Sequence, residues 1–352
     1  MKIAVLSGGL SSERDVSLSS GKRIAAALRT QGHKVVLIDV FMGYEQDICD
    51  IDALFEEGYE FESAATVKGE VPDLQKIKEM RVDKSHRFVG EHVLDICSAA
   101  DITFLALHGG EGENGQLQAL FDLMGIRYTG AGYFSSAVSM NKRVAKSIFL
   151  TEGVSTPQGK AYTEKDYKCG KCALWEHFPC VVKPCSGGSS VGVSIVNSPL
   201  EYEDALSLAF RYDSEVLVEE FIKGRELSVG IIDGKALPII EIIPKVGFYD
   251  YKNKYQSGAA EEVCPAPIDE DVTKSIQQEA EKAFRALSLE VYSRIDFILT
   301  EDGRFYCIEA NTLPGMTPTS LLPQEAQAVG ISYPRLCDTI VDLSLRKYGI
   351  EE

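Results

Sequence analysis

The sequence predicts a mixed protein, an α/β unit with a parallel sheet followed by an α+β unit of short strands paired by turns. Two patterns carry this prediction. Up to about residue 130, apolar strand-like runs alternate with a long helical run, whereas from about Met140 short β-branched runs bounded by glycine and proline take over. At 352 residues the chain is too long for one ordinary core and suits two or three packed subdomains.

Taken in order, residues 2–6 read as a buried strand, Gly8-Gly9 as a turn, and residues 16–29 as a helix that Gly32 stops. A strand over 34–40 completes a βαβ opening of the doubly wound kind, and 101–107 is a later strand ending at His108-Gly109-Gly110. Residues 41–92 carry scattered acids and no motif, and read as peripheral elaboration. Beyond Met140, residues 179–184, 192–196 and 215–222 read as strands, with a helix over 199–210. A strand-rich stretch after Glu226 leads to a tyrosine- and lysine-rich loop over 247–259, a helix over 268–287 and a final hairpin.

Composition excludes some classes. Lys+Arg 36 against Asp+Glu 53 gives a net charge of −17, which argues against a nucleic-acid binder, since phosphate backbones need a basic footprint. A phosphate site must therefore be made locally. No apolar run is long enough for a membrane span, and the N-terminus MKIAVLSGG lacks the features of a secretory signal, so the expected location is the cytoplasm. Nine scattered cysteines are not a secreted disulfide framework. Cys169-x-x-Cys172, with Cys180 and Cys185 beyond, has some of the look of a zinc site, but Cys180 and Cys185 bracket an apolar strand, and packed thiols are the expectation.

The segment Arg294-Ile-Asp296 … Asp302-Gly303 … Glu309-Ala-Asn311 is the most informative. Two β-branched and aromatic runs flank a Glu-Asp-Gly-Arg turn, a strong hairpin signal. A two-residue Asp302-Gly303 loop places Asp296 opposite Glu309 and Arg294 opposite Asn311, all on one face. Opposed carboxylates repel, and a hard divalent cation with oxygen ligands, such as magnesium, relieves the repulsion. Lys183 ends a strand and precedes Ser-Gly-Gly-Ser-Ser-Val-Gly, a loop able to offer N–H and O–H donors to phosphate. This is not a Walker A motif, nor is Gly8-Gly9 a G-x-G-x-x-G fingerprint, so both familiar nucleotide folds are disfavoured. Lys142 opens a helical run, and Glu219, Glu220, Phe221, Ile222 and Glu226 link two strands, where edge-strand backbone groups suit adenine and a carboxylate suits ribose hydroxyls.

Together these segments resemble the ATP-grasp superfamily. Four more, from Gly8 to Ser20, Leu107 to Gln118, Phe248 to Tyr255 and Asn311 to Leu321, resemble the signatures of D-alanine–D-alanine ligases in order, over nearly the whole chain. The resemblance implies an N-terminal Rossmann-like (pre-ATP-grasp) domain over 1–130, a central ATP-grasp subdomain over 131–222 and a C-terminal one over 223–352 with the metal hairpin and lid loop. It further implies that Glu13, in a set with Ser189 and Tyr255, holds the ammonium of the first D-alanine. Arg294 and the Gly315 N–H would face that substrate's carboxyl oxygen, and Ser320 and Lys254 the second D-alanine's carboxylate. Lys142, Lys183 and Lys254 would contact ATP phosphates, with Phe248 also at the nucleotide. Asp296, Glu309 and Asn311 would carry two magnesium ions, for which manganese is a substitute, and the family's usual homodimer is the expected assembly.

The chain departs from relatives in the Cys185-Ser-Gly-Gly loop and in Glu113-Asn114-Gly115. Within the class, D-serine or D-lactate are the alternative acceptors, but Leu321 offers a serine hydroxyl no partner, and cationic Lys254 with Tyr255 suits a zwitterion. A carboxylase-type ATP-grasp enzyme has no need of the Glu13 and Ser320 sets, and a catalytically silent nucleotide-binding protein would not fill every charged role. No motif marks the group that takes the proton from the attacking ammonium.

Overall fold

The computed structural model describes residues 1–62, 72–173, 175–245 and 259–350. Its first unit runs β1 (Lys2–Ser7), α1 (Arg14–Thr30), β2 (Lys34–Asp39), α2 (Ile51–Glu57), α3 (Leu74–Met80), α4 (Val93–Ala99), β3 (Ile102–Leu105), α5 (Gly110–Glu113), α6 (Gln116–Met124) and α7 (Tyr133–Met140). The three strands form a parallel sheet in the order β2-β1-β3. Ile3 to Leu6 are fully buried, which is why β1 reads as an unbroken apolar run rather than an alternating one. In the 41–92 stretch α3 buries none of its residues, while Arg81 is buried over the Phe41 ring and donates to the Arg87 and Val89 carbonyls, tying the excursion down.

The second unit comprises α8 (Lys142–Thr151), β4 (Gly159–Thr163), α9 (Glu164–Lys168), β5 (Cys180–Pro184), β6 (Ser194–Val196), α10 (Pro199–Ala209) and β7 (Glu215–Glu220). Its antiparallel sheet runs β4-β7-β5-β6. β7 is thus interior, not an edge as the sequence suggested. The missing partner is β4, whose short sequence Gly-Lys-Ala-Tyr-Thr carries little strand signal.

The third unit is β8 (Arg225–Ile232), β9 (Lys235–Ala236), β10 (Ile240–Pro244), β11 (Ala260–Val263), α12 (Glu270–Ala286), β12 (Tyr292–Leu299), β13 (Phe305–Asn311), α13 (Leu321–Ala328) and α14 (Tyr333–Arg346). The sheet order is β11-β10-β8-β12-β13, with β9 beside β8. The hairpin β12/β13 pairs Arg294 with Asn311 and Asp296 with Glu309, as the sequence predicts, but by a different route. The Thr300 N–H donates to the Arg304 carbonyl (2.8 Å) and Gly303 sits at φ 82°, so the loop has three residues, Glu301 to Gly303. Phe297 then pairs with Cys307, and an irregularity at Ile308 shifts the register back. The longer turn and the bulge offset each other. The hairpin is also not the last element, because α13 and α14 follow it. Leu336, Ile340 and Val341 of α14 join the core of the first unit, alongside α1, which binds the two ends of the chain together.

Candidate active site

Two cavities adjoin, one of about 630 Å³ and one of about 220 Å³, and both are lined by Lys142, Gly187, Gly188, Ser189 and Glu309. The larger lies between the first unit, the β12/β13 hairpin and the start of α13, and the smaller between the two antiparallel sheets.

Glu13 stands at the N-cap position of α1 and lines the larger cavity, buried to 7% exposure. Its placement comes from the turn before it. Asp39, fully buried, pairs with Arg14 and accepts from the Phe41 N–H (2.9 Å), while Arg14 also donates to the Gly9 carbonyl (2.6 Å). Gly8 has φ 76° and its missing Cβ would strike Asp39, so a glycine is required there. Across the cavity Ser189 donates its hydroxyl to Glu13 Oε1 at 2.5 Å. A Cβ on Gly188 would come within 3.1 Å of Glu13 Oε2, so the glycine loop closes directly over this carboxylate.

The segment after Asn311 is clamped to the first unit. Leu313 donates its N–H to Glu113 Oε1 (3.2 Å), its carbonyl accepts from His108 Nδ1 (2.9 Å), and Glu113 Oε2 accepts from the Gly109 N–H (2.8 Å). Glu113 and His108 are both buried. This clamp sets the height of Gly315, where a Cβ would lie 2.9 Å from Ser320 Oγ, so the backbone passes close to that hydroxyl. Ser320 stands at the N-cap of α13, and its Oγ accepts from the Thr317 N–H (3.1 Å) and lies 2.8 Å from Thr317 Oγ1.

On the hairpin, Asp296 accepts from Arg294 Nε (2.9 Å) and Nη2 (2.7 Å), from Ser228 Oγ (2.8 Å) and from Asn311 Nδ2 (3.0 Å). Four donors match the four lone pairs of a carboxylate. An Asn311 amide turned with its oxygen inward would leave one lone pair of Asp296 without its donor. Among the described residues no three His, Cys, Asp or Glu side chains form a metal cluster. Two carboxylates and an amide fit a hard cation that completes its shell with phosphate oxygens and water, as magnesium does. Glu309 lies 3.4 Å from Lys142 Nζ, which also donates to the Gly187 carbonyl (2.7 Å).

The smaller cavity is lined by Lys183, Glu219, Glu220, Phe221, Ile222 and Glu226, together with Lys142, Asp296 and Glu309. Glu219 is buried between Lys183 and Lys146 (2.9 Å). Burial pushes its pKa up, but the two ammonium charges prevail and hold it below the ordinary glutamate range; burial lowers that of Lys146. Phe221 and Ile222 follow the end of β7, where the backbone leaves the sheet, and Glu226 shares a sheet face with Ser228 and the paired Ile242.

Of the residues the sequence singles out, Glu13, Ser189, Arg294, Glu309, Asn311, Gly315 and Ser320 line the larger cavity, and Lys142 and Glu309 join it to the smaller. Phe248, Lys254 and Tyr255, with most of the 247–259 loop, lie outside the described residues. Sequence reasoning missed Lys146, although it stands four residues after Lys142 on the same helix, and it missed Ser228 and Glu262, which carry no local signal. Cys180 and Cys185 are buried thiols as expected, but Cys169, at the end of α9, is exposed and Cys172 half-buried. Among the described residues no helix is long and apolar enough to cross a membrane.

Comparison with known proteins gives a consistent picture. The chain matches the family described as D-ala D-ala ligase N-terminus over residues 2–131 and that described as D-ala D-ala ligase C-terminus over 152–342. It is 46% identical over 346 residues to the D-alanine–D-alanine ligase of Pediococcus pentosaceus, covering 97% of each chain. It is 44% identical over 350 residues to that of Lacticaseibacillus casei, covering 99% of this chain and 97% of the relative. Among solved structures, the Bacillus anthracis D-alanine–D-alanine ligase complexed with ATP superposes with a TM-score of 0.73 at 32% identity, covering 99% of both chains. The VanG D-Ala:D-Ser ligase of Enterococcus faecalis gives 0.76 at 28% identity, covering 98% of this chain and 99% of that one.

Proposed function

This chain belongs to the D-alanine–D-alanine ligase family, and we propose that it joins two D-alanines through an acyl phosphate formed from ATP, for peptidoglycan precursor synthesis. The observation that carries this reading is the pair of cavities sharing Lys142, the glycine loop and Glu309, which suits a phosphoryl group passing from a nucleotide to a small acid.

The smaller cavity takes ATP, with Glu220, Phe221 and Ile222 at the adenine, Glu226 at the ribose, and Lys142 and Lys183 at the phosphates. Lys183 is held in place by Glu219, itself braced by Lys146. Glu13, oriented by Ser189, receives the ammonium of the first D-alanine. The carboxylate of that D-alanine then lies toward Arg294 and Gly315 and attacks the γ-phosphorus; its oxygen forms the new P–O bond of the acyl phosphate as the bond to the β–γ bridging oxygen breaks and ADP leaves with that pair. Asp296, Glu309 and Asn311 would hold two magnesium ions, with manganese as a substitute, which neutralise developing phosphate charge. Ser320 orients the carboxylate of the second D-alanine, whose amine attacks the acyl phosphate. Arg294 and the Gly315 N–H supply donors for the tetrahedral oxyanion; loss of one such donor typically lowers the rate about a hundred- to thousandfold. Phe248, Lys254 and Tyr255 complete this scheme from the lid.

A second reading takes D-serine or D-lactate as acceptor, and the likeness to a D-Ala:D-Ser ligase gives it standing. Leu321 supports D-alanine instead: it is apolar, 6% exposed, and lines the cavity beside Ser320. The three sheets support a division near residues 130 and 222, with α14 returning to the first unit. Exposed Leu123 and Met124 on α6 with Tyr133 and Phe134 on the adjoining α7 support a homodimer contact. Dependence on ATP supports a cytoplasmic location. The test is to supply ATP, magnesium and D-alanine, alone or with D-serine or D-lactate, and to follow phosphate release and product mass. Dipeptide with stoichiometric phosphate from D-alanine alone is expected; phosphate only with another acceptor removes the substrate assignment.

A further inference from the structure

An α-ammonium is largely protonated at neutral pH, so the acceptor must lose a proton before its nitrogen can attack. The acids already assigned roles are poorly suited to accept it. Glu13 is engaged by Ser189 on the donor side, the four lone pairs of Asp296 are used, and Glu309 faces Lys142.

Two further carboxylates of the described residues line the same cavity, and of these Glu113 is taken up by the Leu313 and Gly109 N–H groups, which leaves Glu262. Glu262 stands on β11, opposite Ile242 of β10, on the sheet face that carries Ser228 and Asp296. It lines the larger cavity together with Arg294, Gly315, Ser320 and Leu321, the residues around the reacting carbonyl and the acceptor. Gln324, on α13 four residues beyond Ser320, donates its Nε2 to Glu262 Oε2 and its second N–H to the Thr319 carbonyl (2.9 Å). The Glu262 carboxylate is therefore fixed to the same helix start that presents Ser320.

We propose that Glu262 is the general base of the ligation step, receiving the acceptor ammonium and taking its first proton. This inference rests on the ligase reading above. One N–H bond of the ammonium breaks, its electron pair stays on nitrogen, and the proton moves to a Glu262 oxygen. The nitrogen pair then forms the C–N bond at the acyl phosphate carbonyl. Collapse of the tetrahedral intermediate breaks the C–O bond to phosphate, which leaves with that pair and takes the second proton from nitrogen. Glu262 returns its proton to solvent.

The surroundings suit the task. Burial raises the Glu262 pKa and the Arg294 charge on β12 offsets part of the rise, which brings the group nearer the working pH of a base. From the other elements, Gln324 of α13 donates to it, Ile242 of β10 pairs with it, and Glu226 of β8 lies beyond Ile242 on the same face.

The test compares the intact protein with Glu262→Gln and Glu262→Asp, using two nucleophiles. D-alanine needs a base, whereas hydroxylamine, uncharged at neutral pH, traps the acyl phosphate as D-alanine hydroxamate without one. Glu262→Gln is expected to lower dipeptide formation at neutral pH by about a hundredfold or more, with the deficit shrinking as rising pH frees the amine. Hydroxamate formation should hold at the intact rate, and Glu262→Asp should fall between. Unchanged dipeptide formation in Glu262→Gln, or an equal fall with both nucleophiles, would overturn the proposal, the second outcome marking a structural role. If the intact protein makes neither product, the ligase reading itself is overturned.

Discussion

Ser189 and Glu13, 176 residues apart in the chain, meet at 2.5 Å inside the protein. The bond ties the glycine loop of the second unit to the first helix. Ser189 and Ser190 hold left-handed backbone angles, φ 53° and 57°, which side-chain-bearing residues adopt at a cost. The contact to Glu13 is one of the interactions that hold this loop in that shape, so the proposed ammonium site depends on the loop as well as on α1.

Replacing Glu13 with Gln keeps its shape and removes the charge proposed to balance the donor ammonium. A fall in kcat/KM of about a hundredfold or more is expected, mostly through KM for the first D-alanine. Ser189→Ala should be milder, about tenfold. The double variant should be less impaired than the product of the two, because both act through one contact. Steady-state kinetics at varied D-alanine with saturating ATP measure this.

Glu219 pairs with both Lys183 and Lys146, so one buried carboxylate balances two buried ammonium groups. Glu219→Gln removes that charge from between them and is expected to destabilise the fold by about 3 kcal/mol, seen as a lower Tm, and to raise KM for ATP. The pH dependence has a definite sign. The folded-state pKa of Glu219 lies below the ordinary value, so its contribution is fully present above that value and is lost as pH falls through the folded one. The Tm gap between intact protein and variant should therefore be wide at neutral pH and close in acid, below about pH 4. A gap that persists in acid would show that packing, not charge, is responsible.

Much of this site was legible in the sequence because its parts are local. Arg294, Asp296, Glu309 and Asn311 lie on one hairpin, where period two sets the face, and their register held although both the loop length and the strand regularity differed from expectation. Lys183 with its loop, and Lys142 at a helix start, are also readable from neighbours in the chain. What was not legible depends on long-range closure. Glu113 and His108 gain their meaning only from Leu313, some 200 residues on. Lys146 matters because Glu219 turns toward it, and β4 was overlooked because only pairing with β7 makes it a strand. Helix α14 has an apolar stripe whose partner, α1, lies at the opposite end of the chain.

Glu309 joins the two cavities and faces Lys142. Glu309→Gln removes a carboxylate from the proposed cation set and is expected to lower phosphate release by at least about a hundredfold. Chelation of divalent ions should abolish the activity of the intact protein, and magnesium or manganese should restore it. In the variant the magnesium concentration for half-maximal nucleotide binding, read by calorimetry with a non-hydrolysable analogue, should rise. An unchanged magnesium requirement would remove Glu309 from the cation site.

Glu325 is fully buried in α13, and neither of its carboxyl oxygens has a hydrogen-bond partner of good geometry among the described residues. It lies against Gly230, where a Cβ would come within 2.4 Å of Oε2. Burial drives its pKa well above the usual carboxylate range, and the Gly230 N–H and the Arg294 charge offset only part of that. A carboxyl whose folded pKa is raised contributes its full stability below the unfolded value and loses it as pH rises toward the folded one, by up to about 1.4 kcal/mol per pH unit spanned. Glu325→Gln has nearly the same shape and no charge to bury. It should match the intact protein near about pH 5 and become the more stable of the two as pH rises to about 8, with thermal unfolding at both values as the measurement. If instead the variant is less stable at the higher pH, Glu325 is ionised in the fold and forms part of the charge balance around Arg294 and Asp296.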